Sequence, residues 1–204
     1  MKRITIFPLL SIALLMLFVF CEDKSNNPPP RDDPRFYYPL QKDHAWRYFQ
    51  EGRSVIPDTF ELRIVGTNKR EGNVGFDRLL VGSNDTIFIY EKGETLFAEN
   101  VQRGVPLFKI LVGPIKAGTS WKDENFDYVI TGFEDVTLAI NGEPYRNCAK
   151  IIKKYHNPTP GKPDKIYEWW APGFGEAKEI WVDTSDVSQY TKELLYFSPT
   201  GIFP

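Results

Sequence analysis

The chain has 204 residues, a formal net charge of −2 and two cysteines, and 15% of its residues are aromatic. This length suits one domain, and a single all-β domain can run to about 200–250 residues. A weakly acidic chain lacks the basic footprint of nucleic-acid-binding proteins, so no nucleic-acid partner is expected.

Residues 1–20 have the pattern of a targeting signal. Lys2 and Arg3 precede an uncharged apolar run over residues 4–20, which matches a charged n-region followed by an apolar h-region. Cys21 follows directly, and the pattern resembles a bacterial lipoprotein signal, which is cleaved before a cysteine that then receives a lipid. Two alternatives remain: an uncleaved anchor, since about 17 residues is the short limit of a spanning helix, or an ordinary signal peptide.

Residues 21–34 are predicted to be the lipidated Cys21 and a disordered, Pro-rich tether. Apart from prolines, residues 22–34 contain no apolar side chain, so they cannot bury enough surface to order themselves. A β domain is expected over residues 35–204. The membrane partner would be reached through the lipid anchor, which places the protein in the cell envelope at the outer membrane, on its periplasmic face or at the cell surface.

The remaining chain shows hydrophobic alternation of period two, separated by Gly, Asn, Asp and Pro. The pattern predicts strands at 45–50, 59–66, 74–81, 86–91, 95–100, 106–111, 127–140, 145–156, 165–171, 177–182 and 192–197. An open twisted sheet of this size curls or splits. We therefore expect an all-β fold, a single antiparallel meander forming a strongly curved sheet or incomplete barrel, with a two-sheet sandwich as the alternative.

Three local patterns refine this prediction. Gly132 indicates a β-bulge, and a two-residue turn at Asn141-Gly142 would place Leu138 opposite Tyr145. The spacing from Pro39 to Trp46 also recurs from Pro114 to Trp121. Either a duplicated half or two similar strand entries would explain that recurrence.

Aromatic and basic residues provide the candidate contacts. Adjacent Trp169 and Trp170 must point to opposite faces of a strand, so one of them, together with Trp181, is a candidate for stacking on a sugar or covering an acyl chain. Burial of both faces by curvature is the alternative. Lys153 and Lys154, near a Pro-rich loop, are candidate contacts for anionic head groups or a partner protein, although a solvated hairpin end explains them equally.

The sequence offers no motif for catalysis. It has two histidines and no Gly-x-Ser-x-Gly signature, and Gly173-Phe174-Gly175 lacks the third glycine of a dinucleotide fingerprint. We therefore predict no catalytic residue, no metal site and no cofactor, and expect that the protein is not an enzyme.

Several short motifs occur in a recognisable order: Tyr37-Tyr38-Pro39-Leu40, Gly113-Pro114-Ile115, Tyr145-Arg146-Asn147-Cys148 and Trp170-Ala171-Pro172-Gly173-Phe174-Gly175. Over about residues 36–197 the chain resembles a diffuse group of bacterial envelope lipoproteins, described as TapB-like or as domain-of-unknown-function lipoproteins. The resemblance implies an architecture similar to curved-sheet lipoprotein carriers, which hold acyl chains on a concave β surface. It brings no catalytic residue.

The function expected from these features is that of a non-catalytic envelope lipoprotein whose curved β domain binds an apolar or amphipathic ligand such as a lipid. The alternative is a structural or adhesive interaction module that binds another envelope protein or a glycan. A large apolar cavity would favour the first, and a packed interior with exposed strand edges would favour the second.

Overall fold

The computed structural model describes residues 31–100, 105–157 and 163–203. One short helix, α1 (Pro34–Tyr37), precedes twelve strands. The strands are β1 (Ala45–Gly52), β2 (Val55–Arg70), β3 (Asn73–Leu80), β4 (Thr86–Lys92), β5 (Thr95–Asn100), β6 (Val105–Val112), β7 (Ser120–Lys122), β8 (Phe126–Thr137), β9 (Pro144–Tyr155), β10 (Lys165–Ala171), β11 (Gly175–Val182) and β12 (Ser188–Ser198). The prediction of an all-β fold is confirmed, and only β7 was missed among these strands.

All twelve strands form one antiparallel sheet in the order β6-β5-β4-β3-β2-β1-β12-β11-β10-β9-β8-β7. Strands β1 to β6 and β7 to β12 are two successive meanders, joined where β1 pairs with β12. The sheet curls into a nearly closed barrel with one unsealed seam between its edge strands β6 and β7. The incomplete barrel is therefore confirmed, and the sandwich alternative is wrong.

The two ends of the barrel differ. Alternate connections of an antiparallel meander lie at the same end, and the end with the β1–β2, β3–β4 and β11–β12 connections is here called the mouth. The opposite, plugged end receives residues 31–44, including α1. Tyr38 is buried there, with its ring centroid 5.3 Å from that of Trp46 and 5.4 Å from that of Trp170.

Trp46 fixes the corner between β10 and β11 at the plugged end. Its side chain is fully buried, and its indole Nε1 donates to the carbonyl oxygen of Phe174 at 2.5 Å. Gly175 follows with a φ of 97°, and a Cβ atom there would lie 2.9 Å from Trp46 Nε1. The corner therefore requires a glycine at this position for both its backbone angle and its space.

Of the two local predictions for β8 and β9, the bulge at Gly132 is confirmed and the register at Asn141-Gly142 is not. The pairing of β8 with β9 shifts between Ile130 and Gly132, so the bulge is confirmed. The predicted register at Asn141-Gly142 is wrong, because Val136, and not Leu138, lies opposite Tyr145. The connection is wider than a two-residue turn because it is held against β12, where the amide nitrogen of Ile140 donates to Glu193 Oε2 at 2.8 Å.

The predicted signal sequence and Cys21 lie outside the described residues, whereas Pro34, assigned to the tether, is the first residue of α1. Asp33 caps this helix by accepting from the amide nitrogen of Arg35 at 2.7 Å. Among the residues that the structure describes, no helix is long and apolar enough to cross a membrane.

Replacing Gly175 by alanine should destabilise the protein more than replacing Gly173. Both glycines have positive φ angles, but a Cβ at Gly173 meets nothing within 4 Å. We expect Gly173→Ala to lower the free energy of unfolding by about 1–2 kcal/mol and Gly175→Ala by about 3 kcal/mol or more, because its methyl group also displaces the Trp46 indole. Urea denaturation measures both, and equal losses would contradict this packing.

Candidate functional site

An open groove crosses the seam and is the first candidate site. It has a volume of about 830 Å³ and lies between strand β6 on one side and strands β7, β8 and β9 on the other. The loop from β6 to β7 limits it at the plugged end, where the amide nitrogen of Ile115 donates to the carbonyl of Asp32 at 2.6 Å. We call it the seam groove.

The walls of the seam groove are mainly apolar. They are formed by Val112, Trp121, Tyr128, Val129 and Ile152. The Trp121 and Tyr128 rings stack with centroids 5.0 Å apart and an interplanar angle of 11°, but both are buried and lie on the inward face of the sheet with Lys153. The half-buried side chains of Val112, Val129 and Ile152 are the apolar surface that an acyl chain could contact.

The rim of the seam groove carries more positive than negative charge. Lys109, Lys122 and Lys154 line it, with Asp127 as the acidic residue. Asp127 Oδ1 lies 3.6 Å from Lys122 Nζ and 3.2 Å from His156 Nε2, so its charge is locally compensated. The combination of apolar walls and a cationic rim suits an anionic amphiphile.

Trp121 carries an unusual polar group for such a wall. Its Nε1 atom is buried and has no hydrogen-bond partner among the described residues. Leaving a buried donor unpaired costs about 1–3 kcal/mol.

A second candidate lies inside the barrel and consists of five charged residues, here called the interior cluster. Its members alternate with buried apolar residues on the inward faces of β9 to β12: Lys153, Glu168, Glu176, Glu179 and Lys192. Pairing of neighbouring strands places Glu168 opposite Glu179, and Glu179 opposite Lys192. The fold therefore brings together side chains that are far apart in sequence.

The interior cluster is internally paired. Lys153 forms an ion pair with Glu168, and Lys192 Nζ lies 3.0 Å from Glu176 Oε2 and 3.1 Å from Glu179 Oε2. Two indoles also form hydrogen bonds with these carboxylates: Trp170 Nε1 donates to Glu168 at 3.0 Å, and Trp181 Nε1 donates to Glu179 at 2.6 Å. Buried charges persist in a fold when they are paired in this way.

The carboxyl groups of Glu176 and Glu179 respond differently to this environment. Burial raises the pKa of Glu176, and the neighbouring carboxylates of Glu179 and Glu168 add to that rise against the attraction of Lys192. Burial also acts to raise the pKa of Glu179, but the ammonium groups of Lys192 and Lys153 outweigh it and hold that pKa below its usual range. Of the two carboxyl groups, Glu176 therefore holds its proton to the higher pH.

Three carboxylates this close form a set that could ligate a metal, since oxygens of Glu168, Glu176 and Glu179 lie within 4.8 Å of one another. The ammonium groups of Lys153 and Lys192 already neutralise the negative charge that a metal cation would neutralise. The cluster therefore fits an ion-pair network better than a metal centre. Sequence analysis missed it because no local motif marks it.

The tryptophans predicted as contacts are buried or half-buried. Trp170 faces the interior, and Trp169 faces outward, as adjacent strand residues must. Trp169 is nevertheless only 8% exposed, because Glu134 accepts from its Nε1 at 2.5 Å and Lys150 Nζ lies 5.2 Å from its ring centroid. Trp181 packs on Tyr190, with centroids 5.0 Å apart. None of the three lines the seam groove.

The two predicted lysines are separated by the sheet. Lys153 points into the barrel and belongs to the interior cluster, with its Nζ atom 5.5 Å from the Tyr128 ring centroid. Lys154 is exposed and lines the seam groove. Of the five residues singled out from sequence, Lys154 is therefore the one placed at the candidate ligand surface.

The interior cluster predicts opposite effects for two glutamine substitutions. Because the folded pKa of Glu176 is raised, its contribution to stability is complete below its ordinary pKa of 4.5 and is lost progressively up to about 8. Glu176→Gln should abolish this loss, so that the variant gains about 1–3 kcal/mol relative to wild type between about pH 5 and pH 9. Urea denaturation across that range measures it.

Glu179→Gln is the matched control. Because the pKa of Glu179 is lowered, its stabilisation is present above pH 4.5 and lost in acid. This variant should lose about 2–4 kcal/mol at neutral pH, where Lys192 and Trp181 lose a charged partner. Identical pH profiles for both variants would contradict the assignment of the proton to Glu176.

Comparison with known proteins identifies the fold. The sequence matches no protein-family profile and no curated protein sequence. Among solved structures, a protein from Bacteroides fragilis described as exported and as having a YmcC-like fold has a TM-score of 0.55 and 11% identity, covering 80% of this chain and 99% of that chain. A protein from Parabacteroides distasonis described as a lipoprotein has a TM-score of 0.51 and 14% identity, covering 80% of this chain and 98% of that chain. The chain shares their fold.

Proposed function

We propose that this chain is a lipid-anchored, non-catalytic protein of the bacterial cell envelope whose barrel binds an anionic amphipathic molecule, such as a fatty acid or an anionic lipid, in the seam groove. The single observation that carries the proposal is the groove itself. It combines the half-buried apolar side chains of Val112, Val129 and Ile152 with three lysines, Lys109, Lys122 and Lys154.

The envelope location is supported from two directions. The n-region, the apolar run and Cys21 have the order of a lipoprotein signal. The two solved proteins that share the fold are described as an exported protein and a lipoprotein. An outer-membrane address extends this proposal, with the membrane reached through the lipid on Cys21.

The absence of catalysis is proposed from the state of the interior carboxylates. Glu168 and Glu179 are each bound by a lysine and an indole, and Glu176 is bound by Lys192. A general acid or base needs a substrate within hydrogen-bond reach. These carboxylates instead bind lysines and indoles of the protein, and Glu176 Oε1 is buried with no hydrogen-bond partner among the described residues.

Binding to the seam groove should depend on its three lysines. We expect the Lys109→Gln, Lys122→Gln, Lys154→Gln triple variant to bind a fluorescent long-chain fatty acid about ten-fold more weakly than wild type, because each exposed charge contributes about 0.2–1 kcal/mol. Fluorescence titration measures the affinity. The corresponding neutral fatty alcohol should bind the two proteins equally.

A matched control separates the groove from net charge. Lys42, Lys69 and Lys92 are exposed and do not line the groove, so replacing all three by glutamine changes the total charge equally and should leave the affinity unchanged. Val129→Asp places a carboxylate in the apolar wall and should abolish binding of both probes. Equal affinities for the two triple variants would refute the site.

The anchor makes a separate prediction. In a bacterial host fed a labelled fatty acid, the wild-type chain should incorporate the label and sediment with membranes. Cys21→Ala should lose the label, because no acceptor sulfur remains at the end of the apolar run. Equal labelling of both proteins would exclude lipidation at Cys21.

The unpaired edge strands support a second candidate function, an interaction module for another envelope protein. The outer edge of β6 pairs with no strand of the described sheet, and such an edge accepts an extended segment of a partner. A photo-crosslinker at Lys109 in living cells would distinguish the candidates. A protein adduct retained in the Val129→Asp variant would favour the interaction module.

A further inference from the structure

A cavity at the mouth of the barrel is separate from the seam groove. It has a volume of about 650 Å³ and is reached between β1, β2, β3 and β4. We call it the mouth pocket. Its one cationic lining residue is Arg78, on the inward face of β3.

Arg78 is an unusual cation for a barrel interior. Its side chain is half-buried, and its Nη1 atom donates to the Tyr38 hydroxyl at 2.5 Å. It forms no ion pair with any described carboxylate. A guanidinium has five donors in a planar fork, and the Tyr38 hydroxyl accepts from one nitrogen of Arg78, which also lines the pocket.

The carboxylates of the interior cluster form no ion pair with Arg78. Its carboxylates are bound by Lys153 and Lys192. Glu176 acts on Arg78 only through space, and burial favours the neutral form of this glutamate. The carboxylates of the interior cluster are therefore paired with lysines, and the hydrogen-bond partner of Arg78 is the Tyr38 hydroxyl.

The walls of the mouth pocket indicate the chemical character of a ligand that would bind beside Arg78. Phe60, Leu62, Leu80 and Ile87 present apolar side chains around Arg78. Two carboxylates, Asp58 and Asp85, also line the pocket. Like charges repel, so the carboxylate of Asp58 disfavours a dianion such as phosphate more than a monoanion.

We propose that the mouth pocket binds a small carboxylate with a compact apolar body, and that Arg78 is the residue that binds the carboxylate. A planar guanidinium matches a carboxylate with two parallel hydrogen bonds. Tyr38 holds the guanidinium from the plugged side, which leaves the face toward the mouth for the ligand. This site does not depend on the seam groove.

The test uses the full chain, purified in a non-ionic detergent, and calorimetric titration with hexanoate at constant ionic strength. We expect hexanoate to bind at least ten-fold more tightly than hexanamide, which has the same shape without charge, because a charged hydrogen bond is worth about 1.5–3 kcal/mol. Inorganic phosphate should bind more weakly than hexanoate. Equal affinities for hexanoate and hexanamide would overturn the proposal.

Two variants locate the site. Arg78→Gln should weaken hexanoate binding at least ten-fold, whereas the Lys109→Gln, Lys122→Gln, Lys154→Gln variant of the seam groove should bind it as wild type does. A folded Arg78→Gln protein that binds hexanoate normally would refute the role of Arg78.

Near-ultraviolet circular dichroism and cooperative thermal unfolding establish whether Arg78→Gln is folded. If it is not, Arg78→Lys provides the second variant, which keeps the charge but loses the planar fork. It should bind hexanoate more weakly than wild type but more tightly than it binds hexanamide. Loss of that preference for the charged probe would also count against the proposal.

Discussion

The pairing of β1 with β12 is the constraint on which the rest of the barrel depends. Each six-stranded meander is built from neighbouring hairpins, but this one ladder joins strands from opposite ends of the domain. Its register places Trp46 opposite Phe197 and Gln50 opposite Lys192. A slip of one residue would turn these side chains to the outer face, so both the plug and the interior cluster depend on this ladder.

The charged interior restricts where a ligand can lie. A curved sheet with a continuous apolar concave face, which the family resemblance implies, could hold an acyl chain along its length. Here aromatic side chains of residues 31–44 and Trp46 fill the plugged end, and the interior cluster occupies the middle. Removing one partner from such a network is costly, so the middle of the barrel suits an apolar ligand poorly.

The sequence predicted most of the strands because hydrophobic alternation is a local signal. It missed β7 because three residues are too few to show a period. The Pro-to-Trp recurrence has a structural counterpart, since Trp46 and Trp121 are each the second residue of the strand that opens a meander. Whether the halves arose by duplication stays a hypothesis.

The functional residues were harder to predict for a physical reason. Lys153 and Lys154 are neighbours in sequence, yet one is buried against Glu168 and the other lies at the seam groove, because successive strand residues face opposite sides. The partners of the interior cluster come from four strands and meet only through register. No sequence pattern marks Arg78, because its proposed role depends on the absence of an ion-pair partner among the described carboxylates, and this absence can be seen only in the structure.

The described part of the chain begins at the plugged end of the barrel, beside the β6–β7 loop, where Asp32 accepts a hydrogen bond from Ile115. With the lipid anchor proposed at Cys21, the barrel would be attached to the membrane through its plugged end. The mouth would then face the aqueous compartment, so a ligand that enters it would come from solution or from another protein and not directly from the bilayer.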